Sequence, residues 1–408
     1  MSEAGKTQLV DVSKLGVEEA VARLVDHAVS LTASDLFFVS NEQHLAVQVR
    51  HLGMVRVISI IPSEIGRRML SHIKGRASMD LTERRRPLDG RWIYNPDENS
   101  TVDLRVNTIP TIYGEDLAIR VLARDKQLFT LNNIGMTREQ HANFTAMIDG
   151  PGGLVLVTGP TGSGKTATMY AGLMRLNDGK RKINTIEDPV EFSIDGLRQS
   201  QVNAAINLGF ADMLRSVLRQ SPDVIMIGEI RDRETADTAV RAANSGHMVL
   251  ATIHAVHAPG AVQSMKGLGV HPHFLSTSLR GVVSQRLVRT LCPKCRITID
   301  LGDAPHTFDE VRAWLAPDEG KAIYASRGCE ACNMVGYAGR TGVFEVMPVT
   351  REIRELISEN RPTREIRDKA ISQKMLQTRD AALLKVARGE TSTEEVFRAI
   401  PSEHLLED

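Results

Sequence analysis

Aromatic residues make up only 4% of the 408-residue chain, and fifty basic residues are balanced by fifty acidic ones. With little stacking surface and no net charge, the chain carries no global signature of nucleic-acid or anionic-membrane binding. No apolar run approaches the length of a membrane span, and the polar, mixed-charge stretch Met1 to Gly16 does not look like a signal peptide. The chain is therefore expected in the cytoplasm. Low-complexity tracts and fixed-period repeats are missing as well. Cysteine is scarce: all four fall in two Cys-x-x-Cys pairs, which in a reducing compartment point to metal rather than disulfide. What is present is an ordinary globular composition, 42% apolar and 25% charged, at a length that suits two or three domains.

The stretch with the most chemistry runs from Leu154 to Leu176. The apolar run Leu154–Val157 leads into Gly159-Pro160-Thr161-Gly162-Ser163-Gly164-Lys165-Thr166, and Ala167–Leu176 reads as a helix. Strand, glycine-rich loop and helix in that order form a phosphate loop, in which backbone N–H groups and a helix N-terminus face phosphate oxygens. Lys165 is expected on the β- and γ-phosphates of a nucleotide and Thr166 on magnesium.

Around this loop the chain divides by pattern. Residues 1–16 read as a polar tail. Residues 17–124 begin with an amphipathic helix and continue as short strands, Leu36–Val39, Leu45–Arg50, Val55–Ile60, Trp92–Tyr94, Val102–Thr108 and Leu117–Leu122, with a polar helix from Pro62 to about Lys74. A mixed α/β domain is expected there. Residues 125–133 read as a linker, and Thr137 as the N-cap of the next helix. From 134 to 291 helices and strands alternate, which predicts a largely parallel sheet covered by helices. The cysteine segment, 292–340, and a charged helical region, 341–408, interrupted near Pro362, complete the chain.

Several residues then present themselves for phosphoryl chemistry. Glu229 ends the apolar run Val224–Ile227 after one glycine, where a phosphate-loop protein places an acid near magnesium or water. Glu187, Asp188 and Glu191 crowd three carboxylates into five residues, one of them a candidate general base, although an acidic surface turn reads equally well. His254 follows the strand Met248–Thr252 and could orient water, while a lone histidine is more often structural. Arg105 and Arg120 point from the non-core faces of two strands of the first domain, either toward a γ-phosphate or simply into solvent.

Cys292-Pro-Lys-Cys295 and Cys329-Glu-Ala-Cys332, thirty-three residues apart, form a four-thiolate set suited to structural Zn²⁺, with an iron–sulfur centre or a redox dithiol pair as alternatives. The long intervening segment is expected to protrude.

Taken together, Gly-Pro-Thr-Gly-Ser-Gly-Lys-Thr, Thr-Ile-Glu-Asp-Pro-Val-Glu, Arg-Gln-Ser-Pro-Asp-Val-Ile-Met-Ile-Gly-Glu-Ile-Arg-Asp and Ser-Gly-His-Met-Val-Leu-Ala-Thr-Ile-His resemble the signature boxes of the type II/type IV secretion and pilus motor ATPases. The resemblance extends from about residue 20 to the C-terminus. It implies an N-terminal PAS-like α/β domain, a RecA-like phosphate-loop domain, a zinc insertion and a helical C-terminal region. It also implies a homohexameric, magnesium-dependent ATPase whose nucleotide lies between the two domains and whose partner is an inner-membrane platform protein. On this resemblance Glu191 would be the general base, Glu229 the acid at magnesium and water, His254 the histidine-box residue, and Arg105 and Arg120 the arginines brought to the nucleotide. The cysteine insertion resembles the secretion and pilus-extension branch, which favours an assembly motor over a retraction motor. A DNA-uptake or other nucleic-acid motor is the alternative, although no direct nucleic-acid contact is expected. Phe37, Leu52 and Ala255-Val256 depart from the usual residues but spare the phosphate loop and its acids. Only about sixteen residues precede the first helix of the resemblance, where many such motors carry further docking domains.

Overall fold

The computed structural model describes residues 9–97, 100–123, 130–302, 304 and 306–405. Positions 1–8 of the expected tail and 124–129, which include most of the expected linker, lie outside the described residues. The chain forms two compact units, Met1–Asp125 and Lys126–Asp408.

The first unit contains α1 (Val17–Ser30), β1 (Asp35–Ser40), β2 (His44–His51), β3 (Met54–Pro62), α2 (Ser63–Arg76), β4 (Leu88–Asp97), β5 (Ser100–Thr111) and β6 (Gly114–Ala123). Its antiparallel sheet has the order β3-β2-β1-β6-β5-β4. Alternation sends Leu36, Phe38, Leu104, Val106, Leu117 and Ile119 to one face, where they meet Val21, Leu24 and Val25 of α1 and Met69 and Ile73 of α2. Part of the expected polar tail belongs to this core. Val12 is buried, Val10 N donates to Ile58 O at 2.7 Å, and Ser59 Oγ donates to Val10 O at 3.0 Å.

The second unit opens with α3 (Arg138–Ile148), whose Thr137 N-cap forms a reciprocal capping box with Gln140. Its sheet strands are β7 (Gly153–Thr158), β8 (Ile183–Glu187), β9 (Leu197–Gln201), β10 (Val224–Ile227), β11 (Met248–Ile253), β12 (Leu279–Leu291) and, after the short β13 (Ile297–Asp300) and β14 (Ala322–Ala325), β15 (Tyr337–Pro348). The order is β15-β12-β7-β11-β10-β8-β9, all parallel except β15, which runs antiparallel to β12. Between these strands lie α4 (Lys165–Leu176), α5 (Phe210–Leu218), α6 (Arg233–Asn244), α7 (Ala258–Gly267) and α8 (Pro272–Ser278), followed by α9 (Arg351–Ser358), α10 (Thr363–Ser372), α11 (Thr378–Ala387) and α12 (Thr393–Ala399). Strands β7, β10 and β11 are buried along their whole length, because apolar cores cover both faces of the sheet.

The cysteine segment leaves from the end of β12 and returns through β15, so it is an insertion between two neighbouring strands. Residues 341–348, within the stretch expected to be helical, are strand. Nor does the insertion simply protrude. Phe308 and Val311 are buried with Leu376, Ala382 and Leu384, and Arg388 reaches Glu319 at 3.2 Å and the Trp314 carbonyl at 3.0 Å. The apolar residues it carries, unreadable as a core by spacing alone, find their partners on α11.

Candidate active site

Strand β7 delivers the chain to the loop, and three positive φ angles turn it: Gly159 at 142°, Gly162 at 78° and Gly164 at 86°. The left-handed region favours glycine because it has no Cβ. At Gly159 a Cβ would also lie 2.4 Å from the Gln285 carbonyl oxygen, so the tight approach of β12 demands glycine twice over. Gln285 supports the loop from below, its Nε2 donating to Ser163 O at 2.7 Å. Pro160, Thr161 and Gly162 are exposed at the crest, while Ser163 is buried. Lys165 heads α4 and its Nζ donates to the carbonyls of Gly159 and Pro160 at 2.9 and 3.0 Å. Burial lowers the pKa of this ammonium, and the negative charge of Glu229 opposes the shift.

Strands β8, β10 and β11 end at the same edge of the sheet as β7, where open α/β sheets bind ligands. Glu187, 3% exposed at the end of β8, accepts hydrogen bonds from Tyr170 Oη at 2.5 Å, Thr185 Oγ1 at 2.5 Å and Gln199 Nε2 at 3.1 Å. Burial, followed by the Glu187 charge, raises the Tyr170 phenol pKa, so that phenol stays a donor. Glu191 lies one turn further on, and its Oε1 accepts from Thr166 Oγ1 at 3.3 Å. Glu229 follows β10; its Oε2 takes Arg231 Nε at 2.6 Å, and His254 Nε2 lies 2.5 Å from its Oε1 in a contact not aligned as a hydrogen bond. Arg231 also lies 3.8 Å from Asp188. Thr166, Glu187, Glu191, Gly228 and Glu229 line one cavity of about 80 Å³.

Sequence reasoning overlooked Gln285, Tyr170, Gln199 and Arg231. Each acts through a partner distant in sequence or, for Arg231, through an acid already named. The buried Tyr170 in an otherwise ordinary helix was the one readable signal.

In the first unit, Arg105 is directly opposite Arg91 on β4 and Arg120 on β6. Like charges so placed repel, and acids offset the charges of Arg91 and Arg120. Asp103 binds Arg91 at 2.7 and 2.9 Å, and Asp35 lies 3.4 Å from Arg120. Phe37, one of the departing residues, packs its ring under the Arg50 guanidinium at 5.5 Å.

The four cysteine sulfurs all lie within 4.8 Å of one another. Cys292 and Cys329 sulfurs are 4.0 Å apart, and the Cys295–Cys332 and Cys329–Cys332 pairs 3.8 Å. A tetrahedron with Zn–S of about 2.3 Å requires sulfurs roughly 3.8 Å apart, far beyond the ~2 Å of a disulfide. Burial pushes the Cys332 thiol up, but the Cys329 and Gly336 amides, each 3.2 Å from its sulfur, outweigh that and bring it down to about 7. This donor set fits zinc.

A phosphate loop, convergent acids and a mostly parallel sheet define the class: a phosphate-loop ATPase with a separate N-terminal α/β unit. The chain belongs to the family of type II/IV secretion system proteins, which matches it over residues 11–398. It is 41% identical over 378 residues to the Type II secretion system ATPase E of Vibrio cholerae, spanning 92% of this chain and 73% of that one. To the type IV pilus assembly ATPase PilB of Acinetobacter baylyi it is 38% identical over 386 residues, 93% of this chain and 65% of that one. The fold is shared with the Legionella pneumophila ATPase DotB, at a TM-score of 0.71 and 21% identity over 95% and 97% of the two chains. The pilus retraction motor PilT, solved with ADP, gives a TM-score of 0.60 at 22% identity over 93% and 96%.

Proposed function

We propose that this chain is a cytoplasmic, homohexameric ATPase motor that couples ATP hydrolysis to assembly of a type IV pilus or a type II secretion pseudopilus at the inner membrane. The observation that carries this reading is the meeting of Thr166, Glu191 and Glu229 in one cavity beside Lys165. Residues 159–166 would cradle the phosphates, with Lys165 on the β- and γ-phosphates. The hard oxygen donors Thr166 Oγ1 and Glu229 suit Mg²⁺, which when bound neutralises charge on the phosphate oxygens.

Glu191 would take the proton of the attacking water. Glu187, whose oxygens are occupied by three donors, would instead hold α4, β8 and β9 in register beneath the site. Glu229 would hold the water and metal shell, with His254 and Arg231 limiting its rotamers. Arg105 and Arg120 are this reading's candidates for the further positive charge that a leaving γ-phosphate needs. Zinc on the four cysteines would be structural, and its insertion supports the assembly branch over retraction. The resemblance of the signature boxes implies an inner-membrane platform protein as the partner.

The test is affinity purification of the Glu229→Gln chain from its native cell, with partners identified by mass spectrometry. Recovery of a polytopic membrane protein with pilin-like subunits is the expected result. Recovery of nucleic acid or DNA-uptake proteins without them would overturn it.

A further inference from the structure

Strand β10 ends at Ile227, whose register partners are Ala251 on β11 and Ile186 on β8. Glu229 therefore stands past the end of its own strand, where the ladder no longer holds the main chain. β11 runs on to Thr252 and Ile253, which pair with β7. That leaves Thr252 beside residues 228–230, and it bonds this segment on both flanks of the acid. Its Oγ1 donates to the Gly228 carbonyl at 2.5 Å, and its own carbonyl accepts from Ile230 N at 2.8 Å. Gly228 N donates in turn to the Ile186 carbonyl of β8 at 2.7 Å.

The end of β11 is itself anchored. Thr158 Oγ1 of β7 donates to Ala255 O at 2.9 Å, and Ser264 Oγ of α7 donates to His254 O at 2.9 Å. Arg231 and His254 meet the Glu229 carboxylate, whereas Thr252 holds the main chain from which that side chain springs. Thr252 is 6% exposed and lines the same cavity as Thr166, Glu191 and Glu229. A threonine hydroxyl has one proton to give, and here it is spent on Gly228, so Thr252 has no proton left for the reaction. Its β-branch restricts χ1 and keeps the donor aimed. Valine has nearly the same shape, and a strand buried from end to end would take it if packing alone decided.

We infer that Thr252 is a positioning residue for Glu229: it fixes the main chain on either side of the acid, so that the carboxylate is aimed before nucleotide arrives. The inference rests on the reading of this cavity as the site of ATP hydrolysis. Nucleotide binding belongs to the phosphate loop and turnover to the acids, so loss of the clamp should separate the two. Misplacing a catalytic group by about 1 Å can cost roughly a hundredfold in rate.

The experiment is steady-state phosphate release, beside calorimetric titration of AMP-PNP, on the intact parent chain, Thr252→Val and Thr252→Ser. Thr252→Val is expected to lower kcat at least fivefold while KM and AMP-PNP affinity stay within threefold of the parent. Thr252→Ser, which keeps the donor, is expected to turn over at least threefold faster than Thr252→Val. Should Thr252→Val fail to fold, Thr252→Ala against Thr252→Ser makes the same comparison. A smaller fall in kcat, a larger loss of AMP-PNP affinity, or no recovery in Thr252→Ser would each overturn the inference. Those outcomes leave the hydrolytic reading standing wherever the parent turns over ATP and Lys165→Ala does not; a parent without turnover overturns both.

Discussion

Glu187 and Glu191 stand four residues apart and differ in what holds them. Three donors fix the buried Glu187, two of them hydroxyls at 2.5 Å, whereas Glu191 meets the hydroxyl of Thr166 across the cavity. Glu191→Gln should therefore lower kcat about 10²- to 10⁴-fold with little change in KM, as expected for loss of a general base. Glu187→Ala should act on stability instead. It removes the acceptor of the buried Tyr170 and Thr185 hydroxyls, at a cost of about 1–3 kcal/mol, readable as a fall in melting temperature. An unchanged kcat in Glu191→Gln would contradict this division. The sequence showed the acidic cluster but not how differently its glutamates are held, because Tyr170 lies on α4 and Gln199 on β9. Neither is adjacent to the acids along the chain, and hydrogen bonds of that kind leave no periodicity to read.

Strands and helices with strong periodicity were legible at the scale of the element, and those with polar faces were not. β9, Leu-Arg-Gln-Ser-Gln, buries only Leu197 and pairs on one edge, so nothing apolar announces it. β12 carries Ser284, Gln285 and Arg286 in its middle because it passes beneath the phosphate loop. The β2–β3 hairpin shows a departure with a physical cost. Leu52 and Gly53 turn the chain with φ of 50° and 80°, a geometry that suits Asn-Gly or Asp-Gly and strains a leucine. Leu52→Asn should stabilise the first unit by about 1 kcal/mol. Denaturant unfolding followed by Trp92 fluorescence in a Trp314→Phe background would read it, and a lower midpoint would contradict it. In the cysteine insertion, spacing predicted the ligands but not where the segment lies. Elemental analysis should find one zinc per chain, lost in Cys332→Ser together with a lower melting temperature. A chain without metal, or with its thiols in disulfides, would contradict the site.

For the whole molecule, the separate cores explain why charge balance and composition pointed to a multidomain globular protein without naming its work. No helix among the described residues is long and apolar enough to cross a membrane. Within the second unit, β12 is the longest strand. It supports the phosphate loop through Gln285 and, after a register irregularity between Thr290 and Leu291, leads to Cys292 about 23 Å further along the chain. The cysteine insertion in turn rests on α11, through which the C-terminal helices share the same framework. All of this presumes that the loop at residues 159–166 turns over ATP. The most direct measurement is phosphate release by the intact chain beside its Lys165→Ala variant, at saturating ATP and magnesium. The account predicts hydrolysis by the parent chain and a loss of about 10²- to 10³-fold or more in the variant, the scale of removing one donor to developing charge. Equal turnover by the two would contradict it.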